Sequence, residues 1–409
     1  KLYKLMKSIL LGILVLTMSA LAPVQAQKSA DISTQLDQLL TAYEKVYGFS
    51  GTVKVVLKEK EVFEKSYGLA NRSFDIPNTP TTRNSINSIS KTFTAVAALV
   101  LVKEGKLDLK APVSKYLPNL RAPWKDKVTI HHLLVHSSGL LRESGLQPHQ
   151  NLSLDEQVKL VEKQQLLFKP GAKYGYSNSG IILLGNVLEK ASGQDFADLI
   201  EQKVLQPLQL QNTGMYRGRN VVKKLAVPYQ LGSRGLESQQ RSKSYGENAG
   251  GGLYSTVGDL YKYVKVLETN KLLPQNLRSL LFKKHIQSGK NDFEGYAWSI
   301  KYFVPEKIHF AAGSGYGTKS VMIRMPVSKD FVGIVSNWGN TPILNILRDV
   351  YLTIKGQKIP LPSSNQLASP KKYAAQVGKY EFDEAEIKQH LQSTEYLIPL
   401  QVFDNKGRE

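Results

Sequence analysis

No cysteine occurs anywhere in the 409 residues. That excludes a disulfide framework, a thiolate metal site, a cysteine nucleophile and a lipid-modified N-terminal cysteine. Acidic side chains are scarce beside basic ones, 34 against 54, which leaves a formal charge of +20. An excess of that size favours anionic surroundings such as cell-wall polymers or lipid head groups. Nucleic acid is the other usual partner of a basic chain, but no recognisable nucleic-acid module is present and none is expected to bind. Three chemical signatures are missing as well. There is no Gly-x-Ser-x-Gly, so one common way of presenting a serine nucleophile is absent. His132 and His136 are four apart, but Leu133 stands where a His-Glu-x-x-His zinc site needs Glu. The glycine-spaced stretch Ala311–Gly317 lacks both the Gly-x-Gly-x-x-Gly spacing and the Gly-Lys-Ser/Thr ending of a phosphate loop. No cofactor and no metal are expected.

Long apolar runs are few, and two carry information. The first follows Lys1, Lys4 and Lys7, covers Ile9–Leu16, and gives way to small residues ending in Val24-Gln25-Ala26. This order of charged, apolar and small residues predicts a secretory signal peptide over 1–26, cleaved after Ala26, and hence a periplasmic or extracellular protein. The run is shorter than the ~18 apolar residues of a spanning helix, which argues against an uncleaved anchor. Losing residues 1–26 removes three lysines and no acid, so +17 remains.

The second run, Thr94–Val102, is almost wholly apolar and ends at Lys103-Glu104-Gly105. It predicts a helix buried on all sides with a glycine stop. Ser88 and Lys91 sit at its mouth, three apart and on one face, which sets a nucleophile beside a possible base. The spacing alone means little. Ser369-Pro370-Lys371-Lys372 has it too, with a proline inside that forbids a helix. An ordinary N-cap serine with a solvated lysine is the bland alternative for Ser88 and Lys91.

The rest of the chain surrounds that helix with recognisable elements. Residues 31–47 place Ile32, Leu36, Leu39, Leu40, Tyr43 and Val46 at helical spacing, and Thr52–Lys58 with Glu61–Tyr67 reads as an antiparallel hairpin. Helices are expected over Val128–Val135, Asp155–Gln165 and Ile181–Ala191, and from Ser255 toward Leu267 after the glycine turn Gly250-Gly251-Gly252. Strands are expected at Tyr296–Phe303, Lys307–Ala312, Lys319–Met325 and Asp330–Ser336, followed by a helix over Ile343–Ile354. Both ends of the main unit, taken as 27–359, would share one sheet with a helical insert between them and a cleft at the join. Residues 360–370 read as a Pro/Ser-rich linker, and 371–409 as a short β-rich segment too small for its own core.

Two loops add chemistry. Tyr176-Ser177-Asn178, the one Tyr-x-Asn of the chain, lies between the break at Lys169-Pro170-Gly171 and an apolar helix, where side chains can project into a cleft. A plain turn is the alternative. In Ala311-Ala312-Gly313-Ser314-Gly315 the glycines let backbone N–H groups approach a ligand.

Four blocks in order resemble the serine β-lactamase and penicillin-binding-protein-like hydrolases, nearest the branch of class C β-lactamases, DD-peptidases and related esterases. They are Ser88–Ala95, Thr129–Leu140, Pro170-Gly171 with Tyr176-Ser177-Asn178, and Ala249–Thr256. The resemblance covers roughly residues 30–355. It implies an α/β fold of β-lactamase/transpeptidase-like type: an antiparallel sheet flanked by helices, a mostly helical lobe, and the active site at the join. It further implies attack by Ser88, proton transfer shared by Lys91 and Tyr176, and Asn178 positioning Lys91 and a substrate amide. The backbone N–H groups of Ser88 and Ser314 would form an oxyanion hole beside Gly313. One departure stands out. The family's third motif begins with Lys or His, and Ala311 stands there. His309 on the same strand face, or Lys319 after the glycine turn, is a possible substitute cation. The expectation is an exported serine hydrolase of an ester or amide, with a small-molecule or peptide substrate and peptidoglycan among the candidates. The alternatives are a β-lactamase or D-alanyl peptidase, and a non-catalytic cell-wall-binding relative.

Overall fold

A computed structural model describes residues 31–146, 150–217, 220–232, 235–238, 248–303 and 306–363, with the backbone of 378–380 and 400–402. The expected signal peptide and most of the segment beyond 363, including 364–370 of the linker, lie outside the described residues. Gly378–Tyr380 and Leu400–Val402 pair antiparallel.

Helix α1 covers 31–47, and strands β1 (Gly51–Leu57) and β2 (Lys60–Tyr67) form the hairpin after it. Late in the chain come β3 (Ile286–Gln287), β4 (Phe293–Glu294), β5 (Ser299–Phe303), β6 (Glu306–Gly315), β7 (Thr318–Met325) and β8 (Asp330–Ser336). They make one eight-stranded antiparallel sheet in the order β3-β4-β5-β6-β7-β8-β1-β2. The two ends of the chain meet where β1 pairs with β8, in register Val53 to Ile334 and Val55 to Val332.

Alternation along the strands divides the core. Val53, Val55, Val321, Ile323, Val332 and Ile334 face α1 and the closing helix Ile343–Ile354. Val56, Ala311, Met322, Phe331 and Val335 face the helical half. The centre of that half is α2 (Ser90–Lys103), in which every residue from Ser90 to Leu101 is buried. An all-round apolar helix is stable only in such a place. Phe93 stacks on Tyr263 there, at 3.9 Å and 12°.

Some boundaries shift for visible reasons. Val128–Val135 shortens to α3 (Ile130–Leu134), because Thr129 caps it in a capping box and His136 turns out with φ +54°. The strand expected from Tyr296 starts at Ser299. Ala297 takes φ +58° and donates its N–H to Leu134 O (3.2 Å), which bends the chain away from the sheet. Further helices are α4 (Leu154–Val161) and α5 (Asn178–Ser192).

Candidate active site

Ser88 is not in α2 but in the single 3-10 turn Asn87–Ile89 that leads into it. Asn87 holds the entry with φ +46° and donates its side-chain amide to Thr318 Oγ1 (3.0 Å). Positive φ is costly for a residue with a side chain, though Asn tolerates it best. On the far side Ser90 Oγ accepts from Leu253 N (3.1 Å), so the turn is tied to the strand Leu253–Ser255 as well.

Lys91, 3% exposed, donates to Ser88 Oγ (2.9 Å) and to Gly250 O (2.7 Å). Tyr176 Oη donates to the same Ser88 Oγ at 2.9 Å. The three groups expected to do chemistry therefore converge on one oxygen, from elements 88 residues apart. His136 stacks obliquely on Tyr176 at 4.5 Å, and its Nδ1 accepts from Ser177 N (3.2 Å). Burial, helped by the nearby charge of Lys91, pushes its imidazole down to about 3, so it supports the tyrosine as a neutral ring. His132 completes the Thr129 capping box. The His132/His136 spacing thus has a structural use at both residues.

Strand β6 closes the other wall. A Cβ on Gly313 would lie 2.2 Å from Ile86 O and 2.9 Å from Ser88 N, so only glycine lets the strand approach the backbone of Ser88 this closely. Ser320 on β7 locks the same point by donating to Ile86 O (2.7 Å). Ser314 is exposed, next along β6.

Three expectations need correction. Asn178 does not hold Lys91. It opens α5, and its Nδ2 donates to both oxygens of Glu143, at 2.9 and 3.0 Å. His309 shares the face of Ala311 but is buried flat against Phe282, at 4.1 Å and 7°, and burial pushes it down to about 3. A neutral imidazole in an apolar stack cannot serve as a cation. Lys319 points to the other face of the sheet, the parity of Val321 and Ile323, and donates to Ser314 Oγ at 2.5 Å.

Sequence reasoning missed four contributors. Gly250 O anchors Lys91, where the sequence showed a glycine turn leading into a helix and one of the four resembling blocks but no contact with the lysine. The N–H of Gly250 is in turn held by Asn248 Oδ1 (2.8 Å). Arg142 places its guanidinium 5.0 Å from the centre of the Tyr176 ring. Glu143 and Asn87 complete the set, and no local pattern distinguishes these two or Arg142 from ordinary loop polar groups.

With this geometry in hand, the likenesses to known proteins are specific. The Beta-lactamase family model matches residues 36–349. A Bacillus subtilis protein named for penicillin binding, PbpX, is 29% identical over 262 residues, which is 63% of this chain and 65% of its own length. A teichoic acid D-alanine hydrolase of Staphylococcus aureus is 29% identical over 233 residues, 57% of this chain and 58% of its own length. The chain thus spans less than two thirds of these curated relatives. Among solved structures, a penicillin-binding protein from Bacillus halodurans superposes with a TM-score of 0.70 at 28% identity, over 76% of this chain and 98% of that one.

Proposed function

The chain belongs to the beta-lactamase family, and we propose that it is an exported serine hydrolase that cleaves an ester or amide through an acyl-enzyme on Ser88. The observation that carries this is a single oxygen, Ser88 Oγ, held 2.9 Å from both Lys91 Nζ and Tyr176 Oη. Ser88 Oγ attacks the substrate carbonyl carbon and its proton passes into the Lys91/Tyr176 pair. The oxyanion that forms is received by the backbone N–H groups of Ser88 and Ser314, which the tight fit at Gly313 supports. The same pair returns the proton to the leaving group, the carbonyl re-forms, and water then releases the acyl group by the reverse sequence.

Two features bear on substrate and place. Ala311, with His309 stacked away and Lys319 on the opposite face, removes the usual cation for a substrate carboxylate. This favours substrates without a carboxylate at that point, such as the teichoic acid D-alanine named for the S. aureus relative, over β-lactams. A β-lactamase or D-alanyl peptidase is the second reading, supported by the likeness to penicillin-binding proteins. Export rests on the residue order of 1–26. No helix among the described residues is long and apolar enough to cross a membrane. The hydrolase unit is taken as 27–359, in keeping with the family match.

The test is mass spectrometry after exposure to a fluorophosphonate or penicillin probe. An adduct on Ser88, absent in Ser88→Ala, is expected; folded protein with no adduct at Ser88 overturns the proposal. Nitrocefin and D-alanyl peptides, run beside simple esters, separate the two readings.

A further inference from the structure

We propose that the face bordering the β6–β7 turn docks on an anionic lipid surface, with Phe74 and Leu231 inserted between the head groups. Docking of this kind is independent of whether Ser88 forms an acyl-enzyme. Three stretches build the face, and hydrogen bonds tie them together. Leu69–Asn71 folds back on Ile76–Pro77, which leaves Phe74 at the tip of the turn. Tyr229–Gly232 and Gly235–Ser238 form a hairpin with Leu231 opposite Leu236. The chain leading into that hairpin is held from both sides, with Arg83 N donating to Lys224 O and Val227 N to Ala70 O, each at 2.8 Å.

Tyr229 joins these stretches to the catalytic wall. Its hydroxyl accepts from Arg72 N (2.8 Å), and the Arg72 guanidinium lies 5.6 Å from the centre of its ring. Leu231 is two residues further along the strand and so shares the face of that ring, toward the turn that carries Phe74. A Cβ on Gly317, in the β6–β7 turn, would lie 2.7 Å from Tyr229 N. The face therefore abuts the end of the strand that closes the Ser88 site.

Its apolar side chains point into water. Phe74 is 75% exposed, Val221 92% and Leu231 61%, with Ile76 and Leu236 about half exposed. Single exposed apolar residues are ordinary, but five on adjoining stretches make a patch. Charge selects the occupant. The same stretches carry Arg72, Arg83, Lys223 and Lys224 against Asp75 and Glu237. Neutral partners hold three of the four cations: the Tyr229 ring for Arg72, Gln211 O for Arg83 (3.2 Å) and Thr81 Oγ1 for Lys224 (3.1 Å). An apolar protein surface would have to desolvate these charges. Anionic head groups pair with them, while the apolar tips enter the layer beneath. The formal charge of +20 draws the whole chain the same way.

The full chain has no cysteine, so Phe74→Cys, Leu231→Cys and Val327→Cys each place one environment-sensitive fluorophore at a known site. Val327 is more exposed still but lies at the opposite end of β7 from Gly317. With mixed phosphatidylglycerol/phosphatidylcholine vesicles, the probes replacing Phe74 and Leu231 are expected to shift to the blue and brighten about twofold or more, and the probe replacing Val327 to stay unchanged. Adding Lys223→Glu and Lys224→Glu should weaken the vesicle affinity read by the Phe74→Cys probe about tenfold or more. No change in either face probe, as tethering by Ile9–Leu16 alone would give, overturns the proposal, and so does an equal change in the Val327→Cys probe. An equal response to vesicles of phosphatidylcholine alone overturns the anionic surface as the occupant. A blue shift that grows with protein concentration in the absence of vesicles assigns the face to a second copy of the chain and overturns it as well.

Discussion

Two serine–lysine pairs lie on opposite sides of one strand. Lys91 donates to Ser88 at 2.9 Å and Lys319 donates to Ser314 at 2.5 Å. By distance the second pair is the closer one. The first joins a half-buried serine to a buried lysine in the first turn of α2, has Gly250 O to hold the lysine, and has Tyr176 as a second partner on the serine oxygen. The second has an exposed serine and lies on the other face of the sheet. Under the proposed function, contact between the two residue types is thus not what makes a nucleophile. What matters is a fixed lysine, a third group that can exchange the proton, and a wall of backbone N–H groups.

The strongest way to break this comparison is to delete one hydroxyl. Ser88→Ala is expected to cost at least about a thousandfold in ester turnover, with no probe adduct by mass spectrometry, since nucleophile loss removes the covalent route. Tyr176→Phe keeps the ring on His136 and removes only the hydroxyl. We expect a loss of about a hundredfold or more in kcat/KM, measured on an activated ester. Gly313→Ala tests the wall: a methyl 2.2 Å from Ile86 O forces β6 and the Ser88 turn apart, lowering stability by about 1–3 kcal/mol in a urea titration and slowing turnover with it. Lys319→Met sharpens the contrast from the quiet side, with turnover expected to stay within about twofold because surface pairs contribute little.

A pH experiment addresses the helical half as a whole. Burial holds His131 at about 4, and His136 and His309 at about 3, all below the ordinary 6.5. Above 6.5 these groups are neutral in both states. As pH falls from there toward their folded values, the unfolded chain binds protons that the folded chain refuses, so stability is lost. Glu294, pushed up to about 7 by burial, works against them. Between its ordinary 4.5 and 7 the unfolded carboxyl ionises first, so stability falls as pH rises. Three histidines outweigh one carboxyl. A lower thermal midpoint at pH 5 than at pH 7 is expected, with a shallower decline in His309→Phe.

Much of the fold was legible because its elements are long and strongly patterned. Asp330–Ser336 and Ile343–Ile354 fall where alternation and helical spacing predicted, and both hairpin strands lie within two residues of expectation. The two-residue strands β3 and β4 are too short to show any alternation, and the bend at Ala297 depends on a bond to Leu134. Ser88, Lys91 and Tyr176 were readable from local context and order. The role of Asn178 was not, since it depends on a carboxylate 35 residues earlier that looks like any loop acid.

By itself the sequence determined which helix must be buried, that a serine and lysine share its mouth, and that cysteine chemistry is impossible, because side-chain type and period act locally. Only the tertiary structure decided which groups meet at Ser88 Oγ, which face Lys319 takes, and that Asn178 serves Glu143 rather than Lys91. Those outcomes depend on contacts between segments far apart in sequence, where packing and strand parity decide which side chain reaches which partner.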